Sequence, residues 1–299
     1  MIINSGNLNL LFQGYNAAFK KGLEGAPSHY MDIGMVVPST TGEEVYGWLG
    51  QFPGMREWIG DRVIKNLATH GFAVTSKLFE STISVPRTKI EDDRYGVYTP
   101  MSEEMGTAAG EHPDLLMFEL LAAGFTTPCF DGQPFFDADH PVGTNGGDYP
   151  VRSVSNVQAG AGEPWYLLDT SRSIRPLMWQ NRLPYRLERK DQENDDNVLH
   201  RDQYLYGTRA RGNAGFGLWQ LAHASKAALD DTNYAAARAA MMNLKGDEGR
   251  PLNVKPDTLV VPPAHEEAAL KLLNTEYKTG GESNPWKGTA RLIVTSWLS

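Results

Sequence analysis

The stretch FAVTSKLFESTISVPRTKIEDDRYGVYTP, residues 72–100, decides the fold because an extended segment here runs directly into the start of a helix. In its first half, apolar residues are spaced by small or polar ones, and these apolar residues are Phe72, Val74, Phe79, Ile83 and Val85. Such spacing predicts a long two-stranded hairpin. A lone two-stranded ribbon is only marginally stable in water, so we expect the hairpin to lie on another surface.

The charged segment after this hairpin, residues 87–94, interleaves cations with carboxylates. Asp92 and Asp93, together with Glu91, could be paired carboxylates for acid–base chemistry. Next to them, however, stand the cations Arg87, Lys89 and Arg94. Neighbouring charges of opposite sign favour ion pairs on the surface. We therefore interpret the segment as ion-pairing surface.

A long helix is predicted over residues 101–123, where apolar residues recur at helical spacing. Thr99 is suited to cap this helix, Pro100 to occupy its first position and Gly124 to end it. At about 1.5 Å per residue the helix would be roughly 35 Å long. Pro113 in its interior is expected to kink the helix or to split it in two.

The N-terminal segment carries a shorter amphipathic helix that Asn7 can cap. Its apolar face is formed by Leu8, Leu11, Phe12, Tyr15 and Phe19. The flanks are rich in Gly, Ser and Pro, which is typical of an arm that leans on a surface other than its immediate neighbours. That surface is either another subunit or the arm's own domain.

The rest of the chain alternates short helices and strands. Thr41 and Glu44 have the spacing of a capping box and predict a helix that ends at Pro53. Strands are expected at residues 165–168, 183–187, 203–209 and 216–221, with a turn at 212–217 and a charged tip at 189–196 that contains Arg189 and Asp195. From residue 225 the pattern is helix, strand, helix, strand, which could form a separate layer.

The composition excludes several classes of protein. The 299 residues carry a net charge of −8 with an estimated pI of 5.4, which excludes a basic nucleic-acid binder. Cys129 is the only cysteine, so an intrachain disulfide and a thiolate metal cluster are excluded. No apolar run reaches the length of a membrane-spanning helix, and we expect no membrane association.

A search for catalytic motifs leaves one candidate. The sequence has no phosphate loop, no dinucleotide-binding glycine motif, no nucleophile elbow and no paired histidines at metal-ligand spacing. The segment that remains contains Cys129, Asp131, Asp137, Asp139 and His140, which could hold a divalent cation or supply an acid and a base. A turn-rich loop whose carboxylates bond to their own backbone explains the same residues. A metal-dependent hydrolase therefore stays open as an alternative.

Seven segments together carry a resemblance to a known family. They are MIINSGNLNLLFQGYNAAFKKG, FESTISVPRTKIEDDRYGVYTP, DGQPFFDADHP, WYLLDTSRSIRPLMWQ, YGTRARGNAGFGLWQLA, GRPLNVKPDTLVVPP and TARLIVTSWLS, and they run from Met1 to Ser299. In this order they resemble the major head subunits of Mu-like phages, which have the tailed-phage major capsid fold of the Hong Kong 97 type.

The resemblance implies an α+β fold of four parts. These are an N-terminal arm (residues 1–29), a peripheral domain with the long helix and a sheet (30–56 and 96–224), an extended β-hairpin loop (57–95) and an axial α/β domain (225–299). The strands near residues 165–169 precede the axial block, whereas many relatives of the wider fold place comparable strands after it. The resemblance thus implies a permuted connectivity.

The resemblance also implies a function without catalysis or a cofactor. The chain would be a major capsid protein that self-assembles into pentamers and hexamers of an icosahedral shell around double-stranded DNA, without sequence-specific DNA binding. Implied partners are a separate scaffolding protein, a portal and a decoration protein. The implied location is the virion, with assembly in the host bacterial cytoplasm. A cellular nanocompartment shell of the same fold is the alternative.

On this interpretation, three sets of residues make contacts between subunits. The arm would contribute Leu8, Leu11, Phe12, Tyr15 and Phe19. The extended loop would contribute Phe72, Val74, Phe79, Ile83, Val85 and Arg87. Intersubunit ion pairs would involve Arg94, Glu91, Asp92, Arg189 and Asp195.

Overall fold

The computed structural model describes residues 3–46, 72–92, 95–143, 149–278 and 280–299. Its helices in these ranges are α1 Ser5–Gly25, α2 Tyr30–Ile33, α3 Arg87–Glu91, α4 Thr99–Ala122, α5 Asp196–Arg201, α6 Asp231–Met242 and α7 Glu266–Leu273. Its strands are β1 Gly34–Pro38, β2 Glu43–Val45, β3 Ala73–Thr75, β4 Lys77–Pro86, β5 His140–Val142, β6 Arg152–Val154, β7 Val157–Gln158, β8 Trp165–Leu168, β9 Leu177–Lys190, β10 Gln203–Phe216, β11 Ala222–Ser225, β12 Thr258–Val261 and β13 Arg291–Val294. The predicted α+β class is confirmed.

The first sheet has the strand order β1-β9-β10-β4. Strands β9 and β10, each of 14 residues, form a long antiparallel ribbon, and β4 extends it antiparallel to β10. Side chains on one face of this sheet, among them Val85, Tyr204 and Tyr206, are buried together with apolar residues of α1 and α4. Burial of one face only explains the alternation of buried and partly exposed residues along β10.

The second sheet has the order β13-β12-β8-β11-β7. All four residues of β8 are buried, as the apolar sequence Trp-Tyr-Leu-Leu requires. The prediction that the chain after residue 225 forms a layer of its own is wrong, because β12 pairs with β8. A division at 224/225 would also cut through β11.

The predicted hairpin over residues 72–85 does not form, because its two arms pair with different strands. Strand β3 pairs with β2, whereas β4 pairs with β10 through ten consecutive residue pairs. The long strand β10 offers β4 a complete set of hydrogen-bonding partners, which a two-stranded ribbon could not match in stability. Residues 57–71, the first part of the extended loop predicted over residues 57–95, lie outside the described residues.

The predicted helix start at Thr41 is also wrong, since residues 43–45 form β2. Glu44 does reach back toward Thr41, as in a capping box, but it closes a turn instead. Its Oε1 accepts hydrogen bonds from Thr40 N (3.0 Å), Thr41 N (3.2 Å) and Ser39 Oγ (2.9 Å). The bonds from Thr40 and its neighbours lower the pKa of Glu44 to about 2. The rest of the predicted helix, from residue 47 to Pro53, lies outside the described residues.

The N-terminal helix α1 is confirmed, with a different cap. Asn4, not Asn7, is the N-cap, and its Oδ1 accepts a hydrogen bond from the Asn7 N–H (2.8 Å). Glycines let α1 lie almost backbone to backbone on α4: a Cβ on Gly22 would stand 2.0 Å from the Glu103 carbonyl oxygen. The surface that the arm covers is therefore the chain's own α4.

Helix α4 is confirmed as a single helix of 24 residues that Pro113 does not split. Buried residues lie on both sides of the proline, with Met105 and Ala109 before it and Met117 and Phe118 after it. This packing on both sides stabilises a continuous helix despite the backbone hydrogen bond that proline cannot form. Two smaller predictions are wrong. The N-cap of α4 is Tyr98 and not Thr99. Most of the residues predicted as a turn at 212–217 belong to β10, which ends at Phe216.

One large cluster of buried apolar residues joins the two sheets. It contains Met117, Phe118 and Leu121 from α4, all of β8, and Leu177 and Met178 at the start of β9. The two sheets and α4 therefore share one core. None of the helices in the described ranges combines the length and the apolar character needed to span a bilayer.

Buried His223 on β11 gives a prediction about acid stability. Burial lowers the pKa of His223 to about 4, below the value of about 6.5 for an unfolded chain. As the pH falls, the unfolded chain binds this proton first, so the contribution of His223 is complete above pH 6.5 and is lost toward pH 4. We expect His223→Gln to reduce the pH dependence of the unfolding free energy by up to about 1.4 kcal/mol per pH unit. Urea denaturation between pH 7 and pH 5 measures this pH dependence, and a change at exposed His200, His200→Gln, is the control. Parallel stability curves for His223→Gln and the unaltered chain would contradict the prediction.

Candidate functional site

The predicted arm contacts lie on the buried face of α1. Leu8, Leu11, Tyr15 and Phe19 are buried, and Phe12 is half-buried. The Tyr15 ring meets the Tyr206 ring edge to face at 5.0 Å, and Phe12 stacks over Tyr206 at 6.4 Å. An intersubunit role for these five residues stays a prediction, and it would require α1 to separate from its own sheet.

Arg189, predicted to make an intersubunit ion pair, fastens α1 to the first sheet within the chain. Its guanidinium lies 4.7 Å from the centre of the Phe12 ring and donates hydrogen bonds to Leu8 O (3.4 Å) and Asn9 Oδ1 (3.3 Å). It also lies 3.6 Å from the carboxylate of Asp191, which is fully buried. Burial raises the pKa of Asp191, although the charge of Arg189 acts in the opposite direction.

We expect Arg189→Ala to loosen the N-terminal half of α1, since this change removes both of these hydrogen bonds and the ring contact. It also leaves Asp191 without its cation, so the unfolding free energy should fall by about 2 kcal/mol. Hydrogen exchange over residues 5–12 should become faster. Lys190→Ala on the same strand is the control, because the Lys190 side chain is half exposed. Unchanged exchange rates in Arg189→Ala would show that α1 does not depend on this contact.

The predicted loop contacts face inward. Val74 and Val85 are buried, whereas Phe72, Phe79 and Ile83 are half-buried. The Phe79 ring stands 4.2 Å from the ring of His112 on α4. The opposite face of β4 is open, with Leu78 65% exposed. A role of these loop residues between subunits stays a prediction.

The residues predicted to form ion pairs between subunits have different surroundings within the chain. Arg87 lies 3.2 Å from both Glu91 and Glu193, so its charge is satisfied within the chain. Asp195 accepts a hydrogen bond from Gln192 N (2.8 Å) at the start of α5 and does not pair with Arg189. Asp92 is exposed at the end of α3, and Arg94 lies outside the described residues.

Three of the residues proposed for a cation site do come together, and they are Cys129, Asp131 and His140. The Cys129 thiol donates a hydrogen bond to Asp131 Oδ1 (3.1 Å), and His140 Nδ1 lies 2.8 Å from Asp131 Oδ2. The His140 ring stacks on Trp219 at 3.9 Å. Asp137 and Asp139 are directed elsewhere: Asp137 Oδ1 accepts the Ala138 N–H, and Asp139 accepts the Ser153 hydroxyl.

The contacts within this cluster favour a structural role over a metal centre. Burial raises the pKa of Cys129 far above its ordinary value, so the thiol keeps the proton that it donates to Asp131. Burial also acts to raise the pKa of Asp131, but the hydrogen bonds from His140 and Cys129 outweigh it and lower the pKa. The carboxylate is therefore the acceptor that holds this loop together, and the cluster has a structural role.

Sequence reasoning missed the glycines at the crossing of α1 and α4. A Cβ on Gly106 would lie 2.0 Å from the Phe19 carbonyl oxygen, and one on Gly110 would lie 2.5 Å from the Ala26 Cβ. The spacing of Gly106 and Gly110, one helical turn apart, was the available signal.

Comparisons with known proteins agree over almost the whole chain. The family described as "Mu-like prophage major head subunit gpT" matches residues 8–298. The Mu-like prophage FluMu major head subunit of Haemophilus influenzae is 45% identical over 273 residues, which are 90% of this chain and 89% of that protein. The major capsid protein of Escherichia phage Mu is 41% identical over 305 residues and covers both chains completely.

Solved structures of bacteriophage JBD30 agree with the sequence relatives. The procapsid subunit superposes with a TM-score of 0.88 at 46% identity and covers 99% of this chain and 100% of its own. The capsid subunit has a TM-score of 0.80 at 33% identity and covers 100% of both chains. A JBD30 capsid decorated with minor capsid protein trimers has a TM-score of 0.76 at 35% identity and covers 94% of both chains. In sequence and in fold, this chain belongs to the family of Mu-like prophage major head subunits.

Proposed function

We propose that this chain is the major capsid protein of a Mu-like tailed phage. Its copies self-assemble into pentamers and hexamers of an icosahedral shell that encloses double-stranded DNA. The observation that carries the proposal is the match over the full length to subunits of the JBD30 procapsid and capsid. These relatives favour a phage head over the cellular nanocompartment and the metal-dependent hydrolase.

The physical basis of this function is repeated contact, without turnover. Each subunit interface can be weak because a closed shell multiplies it many times. The apolar core and the fastened helix α1 give each copy a defined shape, which identical interfaces require. The net charge of −8 suits a container for DNA, since a strongly basic wall would bind the genome tightly. We expect the binding of DNA to the chain to be weak and to be lost as salt is added.

The proposal also covers the partners of the chain and its location. We propose a separate scaffolding protein, a portal and a decoration protein, with assembly in the host bacterial cytoplasm and a final location in the virion. The likeness to a procapsid subunit supports an immature shell that forms first. The likeness to a capsid decorated with minor capsid protein trimers supports a decoration partner.

The test is expression of the chain alone and together with its neighbouring genes. Negative-stain electron microscopy and light-scattering mass should show shells, tubes, pentamers or hexamers in at least one of the two samples. If closed shells of uniform size form from the chain alone, a separate scaffolding protein is not needed. A monomer or dimer in both samples would refute the capsid function.

A further inference from the structure

We propose that the exposed face of the first sheet around Gly207 docks carboxylate side chains of a second copy of this chain. The inference rests on the proposed shell function and names one surface that the shell uses. Two independent features of this face carry it: a depression over a glycine, and a pair of arginines that form no ion pair among the residues that the structure describes.

The depression lies at the centre of the sheet. Gly207 on β10 stands between Thr82 on β4 and Glu188 on β9, and a hollow of about 370 Å³ opens above it. Gly207 has no positive φ, so its own backbone does not demand glycine. An added Cβ would meet the movable Thr82 hydroxyl at 2.8 Å and Ser81 O at 3.2 Å. Because glycine weakens a strand interior, its presence here fits the close approach of another chain.

Beside the depression, two arginines face each other across the strands. Arg209 on β10 is the direct partner of Arg186 on β9, and both side chains are exposed. On its other side Arg209 faces Glu80 of β4, whose carboxylate accepts a hydrogen bond from Thr82. Like charges directly opposite each other destabilise a sheet. Neither arginine forms an ion pair within the part of the chain that the structure describes, in contrast to Arg87 and Arg189. Their guanidinium groups are available for a carboxylate from outside.

The charges on this face indicate which molecule supplies the carboxylate. This face of the sheet carries four cations against two carboxylates, namely Arg186, Lys190, Arg209 and Arg211 against Glu80 and Glu188. The chain as a whole has 36 acidic against 28 basic residues, so another copy presents an excess of carboxylates. A basic patch on an acidic protein is complementary to a second copy of that protein.

The experiment compares assembly of the double variant Arg186→Gln/Arg209→Gln with that of the unaltered chain. The control, Lys245→Gln/Arg250→Gln, makes the same change of charge at exposed positions away from this sheet. We expect the arginine variant to reduce the assembled fraction at least tenfold without a loss of thermal stability in the unassembled chain, since it relieves a repulsion. The control should assemble like the unaltered chain. Gly207→Val, which fills the depression, should also block assembly.

Several outcomes would overturn the proposal. Normal assembly of the arginine variant would show that the patch is not an interface, and an equal loss in the control would show that only net charge matters. If the variant loses retention of duplex DNA but still assembles, the patch binds phosphates instead. If the unaltered chain never assembles, the proposed function fails and this inference fails with it.

Discussion

Gly106→Ala is expected to lower the free energy of unfolding of the unassembled chain by about 2–3 kcal/mol, in spite of the better helix propensity of alanine. The new Cβ would lie 2.0 Å from the Phe19 carbonyl oxygen and 2.9 Å from Leu23 N, both of them backbone atoms. Backbone cannot rotate away as a side chain can, so α1 must shift off α4. Chemical denaturation measures the loss, and proteolysis within α1 should become faster.

Gly14→Ala is the matched control for this change. Gly14 lies in the same helix α1, and nothing stands within 4 Å of an added Cβ. Alanine should here stabilise the chain by up to about 1 kcal/mol. Opposite signs for the two variants would establish that the crossing, and not helix propensity, controls stability. The same small effect at both positions would contradict the close crossing.

Asp131→Ala is expected to cost about 3 kcal/mol, because it removes the common acceptor of a buried cluster. His140 Nδ1 and the Cys129 thiol would each lose their hydrogen bond to Asp131, in a site where both side chains are buried. The pKa of Asp131 is lowered in the folded chain, so its contribution is complete above about pH 4 and is lost as the pH falls below that value. Denaturant unfolding should show a larger difference between the variant and the unaltered chain at pH 7 than at pH 3.

Asp139→Ala provides the comparison, since Asp139 is exposed and bonds only to Ser153 among the described residues. We expect it to cost less than about 1 kcal/mol. Addition of zinc separates the structural role from the alternative metal site. The melting temperature of the unaltered chain should not change, whereas a rise that Asp131→Ala abolishes would restore the metal interpretation.

The elements predicted best are those whose apolar pattern is strong and local. Helix α4 and strands β8 and β12 lie where the spacing of their apolar residues placed them. For residues 72–86 the strands were predicted correctly, but their pairing was not. The partner of β4 is β10, which lies more than 100 residues away along the chain. Periodicity reports which face of a strand is buried and carries no information about its neighbour.

The candidate contacts show the same limit. The sequence indicated that Leu8, Tyr15 and Phe19 pack against an apolar surface, and it left open whether that surface belongs to the same chain. The structure places α4 and the first sheet over them. It also gives Arg189 an intramolecular role, which a charge in a sequence cannot reveal because its partners at residues 8 and 9 are 180 positions away.

By itself the sequence determined the α+β class, the positions of the long helix and the buried strands, and, through its ordered motifs, the family. Those properties follow from local periodicity, caps and the identity of consecutive residues. Only the tertiary structure decided that β4 joins β10, that strands β8 and β12 share a sheet, that Asp131 links Cys129 to His140, and that Gly207 stands between Thr82 and Glu188. Most of these contacts join residues that are distant along the chain. They stabilise the protein only once the whole chain has folded, so local sequence patterns cannot predict them.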